Sequence, residues 1–241
     1  GLVVVEEPDR RLFLQQVVGY TPFEAGLATT PISLLLFFLS PRWGKLASGV
    51  GPRLPMTLGP IVGGVGMLLF MRLDANASYP AEVLPAVLVF GLGLSATVAP
   101  LTATVLDSVS ERRVGIASGI NNGVSRVAGL LAIAVLGAVI SAHFGARLDA
   151  ELGSPPAQGG AASADVGALS RAAASAVEEA KEQPLGGPDT DAVGPVEAPR
   201  IEAAATDAST SAFHLGALLA GLLMIIGGIA SAVGIRNKPR P

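Results

Sequence analysis

Long apolar runs alternate with short polar stretches along this chain. The runs occupy 25–39, 54–71, 83–105, 114–140 and 213–235, and Phe23 and Ser40 extend the first to a marginal spanning length. About 20 apolar residues, rising ~1.5 Å each, cross a hydrocarbon core of roughly 30 Å. The pattern therefore predicts five transmembrane helices in an all-α polytopic membrane bundle. Glycines at 59, 63 and 66 offer close-packing points on the second run. Pro85 and Pro100 interrupt the third, and Pro100 should bend it, which is tolerated where freed carbonyls meet neighbouring helices or a cavity.

The run 114–140 carries a single charge, Arg126, near its middle. At helical spacing Gly115, Gly119, Asn122, Arg126, Gly129, Ile133 and Gly137 fall on one stripe. The opposite face carries Ile120, Val124, Leu131 and Val135. Small residues let another backbone approach closely, so Gly115, Gly119 and Gly129 are expected to pack a neighbour. An arginine facing lipid is costly, so Arg126 should face protein or a water-filled cavity. Two roles stay open for it: a fixed cation lining a transport pathway, or an interhelical donor to carbonyls near Pro100. Asn122, Thr97 and Thr102 are candidate pathway residues beside it, and Asn121, off the stripe, fits helix association better.

The polar stretches divide the chain further. Residues 1–24 form a mixed N-terminal segment in which 12–18 is too short to span. Four helices with short loops occupy 25–141, and SPRWGKLASGVGPR reads as a Gly/Pro loop. An Ala/Gly/Pro-rich insert fills 142–212, a last helix 213–235 and a short tail 236–241. Between 145 and 212 four basic residues stand against eleven acidic ones, and most of this insert is expected to be loosely ordered. One amphipathic helix is predicted within it at 163–182, with Val166, Leu169, Ala173 and Val177 on one side. Loops 41–53, 107–113 and 236–241 carry three, two and three basic residues. The positive-inside rule then places those loops and the C-terminus in the cytoplasm, and the start of the chain and the acidic insert outside.

Composition sharpens this picture. Mean hydropathy is +0.56 and only 15% of residues are charged, which suits a multi-pass membrane protein. With no cysteine, neither a disulfide framework nor a thiolate metal site can form. His143 and His214 lie at opposite ends of the insert, and no metal-ligand spacing is visible. Asp107 and Glu111 beside Arg112 and Arg113 read as an interfacial charge cluster, and Glu24 as a helix cap. No Ser/His pair, His/carboxylate cluster or phosphate-binding loop suggests an enzyme. No cofactor, metal or nucleic acid is expected.

Four stretches resemble the C-terminal half of major facilitator superfamily transporters. They are LQQVVGYTPFEAGLATTP, SPRWGKLASGVGPRLPMTLGP, VLPAVLVFGLGLSATVAPLTATVLDSV and GIASGINNGVSRVAGLLAIAVLGAVI. They are most similar to the fourteen-helix drug:proton antiporter group, the multidrug-resistance exporters. Gly44, Leu46, Gly51 and Arg53 match that family's cytoplasmic gating loop, whereas Ser48 and Gly49 replace its usual Asp-Arg pair. Arg126 matches an S-R-x-x-G position. The resemblance implies part of a proton-coupled exporter of hydrophobic or cationic compounds, with the lipid bilayer, drug-like substrates and protons as partners. It also implies that residues 12–18 end a truncated helix. A missing N-terminal half, or another membrane subunit, would complete the fold, so the chain reads as a fragment or a frame error that is inactive alone. The alternative is a truncated, non-transporting membrane protein that packs against other helices.

Overall fold

The computed structural model describes residues 22–73, 78–107, 114–153, 171–182 and 188–235. Six α-helices are described: α1 Pro22–Val50, α2 Arg53–Leu69, α3 Leu84–Asp107, α4 Val114–Gly153, α5 Arg171–Glu182 and α6 Ala198–Gly234. A 3₁₀ turn, Phe70–Arg72, closes α2, and a π-helical turn, Tyr79–Val83, opens α3. No strand occurs among the described residues, so the chain is an all-α membrane bundle. Among the described residues four segments are long and apolar enough to cross a membrane, Arg53–Arg72, Tyr79–Val98, Gly115–Leu152 and Ala198–Gly234, against the five expected; the run at 25–39 lies inside α1 and is not one of them.

The expected loop at 41–53 is mostly helix. Pro41 sits inside α1, where the side chain of Arg42 donates to the carbonyl of Phe38. Pro41 has no N–H for the Phe37 carbonyl one turn back, and the Arg42 side chain donates to the next carbonyl along rather than to that one. The break comes at Gly51, whose φ of 93° favours glycine, and its N–H donates to the Ala47 carbonyl at 2.8 Å. Pro52 follows and α2 starts at once.

The chain divides into two compact units. One contains Gly26–Gly137 and His214–Pro241. Its helices meet where glycines remove side chains. A Cβ on Gly93 of α3 would lie 2.6 Å from the Gly59 carbonyl oxygen of α2. A Cβ on Gly64 of α2 would lie 2.6 Å from the Gly221 carbonyl oxygen of α6, and one on Gly221 2.9 Å from that of Gly64. In lipid, helices associate through such close backbone packing rather than through a hydrophobic drive. Gly91 brings α3 against Ile32 and Leu35 of α1, and the Tyr79 hydroxyl donates to the Ala28 carbonyl at 3.3 Å.

The second unit contains Ala138–Phe213. Helix α4 runs thirteen residues past the expected end of its apolar run at Ile140, and α6 begins fifteen residues before Phe213. With α5, these extensions enclose a core that includes Phe144, Leu148, Ala173, Val177, Ile201 and Ala208. Full burial of a Phe, Leu or Ile side chain stabilises by roughly 1.5–3 kcal/mol relative to exposure. The described part of the insert is thus a packed helical structure, not the loosely ordered segment expected from its composition. Helix α5 forms within the predicted 163–182 interval, and Ala173 and Val177 do face the core. Val166 and Leu169 lie outside the described residues.

Candidate functional site

The membrane part of α4 differs from every other span in its surroundings. Only 6% of its apolar window is buried, against 33% for α2 and 39% for α3. No atom outside the local helix backbone and adjacent residues lies within 4 Å of a Cβ built on Gly115, Gly119, Gly123, Gly129 or Gly137. The opposite face is equally open, with Ile120, Val124, Leu131 and Val135 all exposed. Asn122 and Arg126 are exposed and Asn121 half-buried. The stripe residues thus share one face of α4, but the neighbour expected to pack on Gly115, Gly119 and Gly129 is not found among the described residues.

A guanidinium in the middle of such a segment carries five fixed donors and a permanent charge. Water, a carboxylate, a polar ligand or backbone carbonyls can satisfy it, whereas lipid tails cannot. Helix continuity holds Arg126 one turn from both Asn122 and Gly129, so donors and open backbone share one face.

The other candidates fall elsewhere. Thr97 lies in the seam between α2 and α3, where its hydroxyl donates to the Gly93 carbonyl at 2.8 Å and abuts Gly59. Its hydrogen-bonding capacity is directed to its own helix. The side chain of Thr102, like those of Glu24 and Asp107, lies outside the described residues, as do Glu111, Arg112 and Arg113. Gly44 is half-buried inside α1, Gly51 forms the turn and exposed Arg53 opens α2. The positions that match the family's gating loop thus form a helix end, a one-glycine turn and a helix start.

The surroundings of three polar side chains were not predicted from sequence. Thr57 on α2 buries its hydroxyl oxygen without a hydrogen-bond partner among the described residues. His214 Nε2 lies 2.6 Å from the Leu73 carbonyl oxygen, tying α6 to the end of the α2 hairpin arm. His143 Nε2 lies 2.9 Å from Ser211 Oγ, joining α4 to α6. The histidines were visible as residues at the insert's ends, but nothing in sequence paired them. Among the described residues no group of His, Asp and Glu is placed to hold a metal ion.

A tight glycine seam between helices, a sharp Gly-Pro turn and an arginine-bearing helix with an open face do not by themselves name a family. The sequence comparison decides the family: the model of the Major Facilitator Superfamily matches residues 11–149. The chain belongs to the Major Facilitator Superfamily. Its similar proteins include the multidrug resistance protein Stp of Mycobacterium tuberculosis, 33% identical over 140 residues, covering 58% of this chain and 26% of Stp. The multidrug efflux pump LfrA of Mycolicibacterium smegmatis is 29% identical, with 67% of this chain and 32% of LfrA covered. The puromycin resistance protein pur8 of Streptomyces alboniger is 31% identical, with 60% of this chain and 29% of pur8 covered. The chain spans about a quarter to a third of the length of these superfamily relatives.

Proposed function

We propose that this chain supplies the C-terminal helical bundle of a proton-coupled secondary exporter of hydrophobic and cationic compounds. The superfamily match over 11–149, with relatives named for multidrug resistance and efflux, is the observation that carries this reading. In secondary transporters two bundles rock around a site near the bilayer midplane, giving alternating access. The open face of α4 supports a cavity wall or bundle interface here: Arg126 and Asn122 would face the pathway, and Gly115, Gly119 and Gly129 would admit the second bundle. Gly44, Gly51 and Arg53 would form the cytoplasmic hinge. A single bundle leaves half the cavity undefined, so the chain alone is inactive.

The same open glycines favour one other reading, a non-transporting helix-packing partner. Energised efflux of a fluorescent cation from vesicles separates the two. Where the gene encodes upstream spans, that longer form is tested beside this chain and beside its own Arg126→Ala variant. This chain alone should give no efflux, the longer form should transport, and Arg126→Ala should lower transport about tenfold, equivalent to ~1.4 kcal/mol of barrier. Efflux unchanged by the substitution would remove Arg126 from the pathway. No efflux from a folded longer product would favour the packing-partner reading.

A further inference from the structure

A helix of 40 residues rises about 60 Å, roughly twice the thickness of a hydrocarbon core. Helix α4 is that long, and α6 has 37 residues. Apart from Arg126, their described charges gather at one end of each: Arg147, Asp149 and Glu151 on α4, and Arg200, Glu202 and Asp207 on α6. These ends are too polar for lipid and would separate in water unless something held them.

Helix α5 lies where it can do so. It presents Ala173, Val177 and Ala180 to the core that Phe144 and Leu148 of α4 share with Ile201 and Ala208 of α6. Lys181 bonds Asp149 on α4 at 2.7 Å and Glu178 on its own helix at 3.0 Å. Arg200 on α6 donates to the Leu152 carbonyl at 2.8 Å, one of the last carbonyls of α4, which otherwise lack partners within the helix. His143 and Ser211 add a third tie between α4 and α6. The connecting segment is fastened too, because the Thr190 hydroxyl donates to Glu202 at 2.7 Å.

We infer that α5 is a brace that ties the charged ends of α4 and α6 into a single body, so that neither end is displaced without the other. The alanine faces of α5 and α6 allow close approach. Apolar burial and the Lys181–Asp149 pair then join α5 to α4. The cap and the His143–Ser211 contact join α4 to α6 directly, and α5 closes the triangle. Any conformational change in this unit must carry the two ends together or break the brace. The inference concerns the 138–213 unit alone and stands whether or not the chain is part of an exporter.

Backbone amide hydrogen exchange of this chain, purified in detergent, tests the brace. Val177→Asp places a charge in the core, and exchange should accelerate about tenfold or more in 140–152 and 200–212 together. The segments 58–66 and 88–96 serve as the folding control and should be unchanged. A second variant guards against simple unfolding. A Cβ on Gly145 would lie 3.9 Å from Cγ of Lys181, so Gly145→Cys with Lys181→Cys should form a disulfide between α4 and α5 in a chain with no other cysteine. When that pair is oxidised, 200–212 should exchange more slowly than when it is reduced. Exchange at 200–212 that ignores both α5 substitutions and the state of the disulfide would overturn the brace.

Discussion

Two glycines of α2 and α6 show what a single hydrogen in place of a methyl does here. Gly64 and Gly221 each lie against the other's carbonyl oxygen, so a Cβ on either would come to 2.6 or 2.9 Å. Gly64→Ala or Gly221→Ala should therefore cost roughly 1–3 kcal/mol through overpacking. The two costs should not add, because both act on one seam. Gly119→Ala meets open space. In this chain alone it should be neutral, or stabilising by up to ~1 kcal/mol through helix propensity. Thermal midpoints in detergent of these three variants and of the Gly64→Ala/Gly221→Ala double variant measure this. Equal losses at Gly64 and Gly119 would show that the α4 face is already packed. Sequence singled out Gly59, Gly63 and Gly66 on this run but neither Gly64 nor Gly221, because spacing on one helix does not say which neighbour arrives. It placed Thr97 in a pathway for the same reason, whereas its hydroxyl is turned to Gly93 in a helix seam.

At the scale of elements, the apolar runs located the helices and missed their ends. Pro41 and Gly49 act as breakers in soluble loops, yet α1 passes through both and stops only where Gly51 takes a positive φ. The extensions of α4 and α6 were hidden by composition, since alanine mixed with acid reads as low complexity. Their periodicity was nevertheless present: Ile140, Phe144, Leu148 and Leu152 recur every four residues and pack in or against one core. The brace also has a predictable response to pH. Hydrogen bonds from Lys181 to Asp149, and then to Glu178, hold its pKa above the usual 10.5. A raised lysine contributes stability below its unfolded pKa and loses it as pH rises through the folded one. Side-chain exposures of 26% for Lys181 and 62% for Asp149 keep the contribution within about 0.3–1 kcal/mol. Calorimetry of Lys181→Met should thus show a lowered transition at pH 8 and a gap that closes as the pH rises beyond the usual lysine range. A gap of constant size would mean that the lysine's charge is not its source.

For the molecule as a whole, crossing number and orientation are separable questions, and the absence of cysteine makes both accessible. Ser48 near the end of α1 and Ser175 on α5 are both exposed, and each hydroxyl bonds only a carbonyl three residues back on its own helix. Ser→Cys at either site should leave the fold intact. Between them the chain runs through α2, α3 and α4. If each crosses the bilayer, the count is odd and the two cysteines must lie on opposite sides, whichever way the protein is inserted. The positive-inside rule then makes a prediction of side: with three basic residues in the short stretch 41–53, Ser48 is expected inside and Ser175 outside. A membrane-impermeant maleimide applied to intact cells should label Ser175→Cys at once and Ser48→Cys only after permeabilisation. The reverse pattern would preserve three crossings and discard the charge argument. Labelling of both sites in intact cells would mean that one of α2, α3 and α4 does not cross, and α4 would be the first suspect. It alone combines an intramembrane arginine with almost no buried surface, and its insertion depends most on what covers that face.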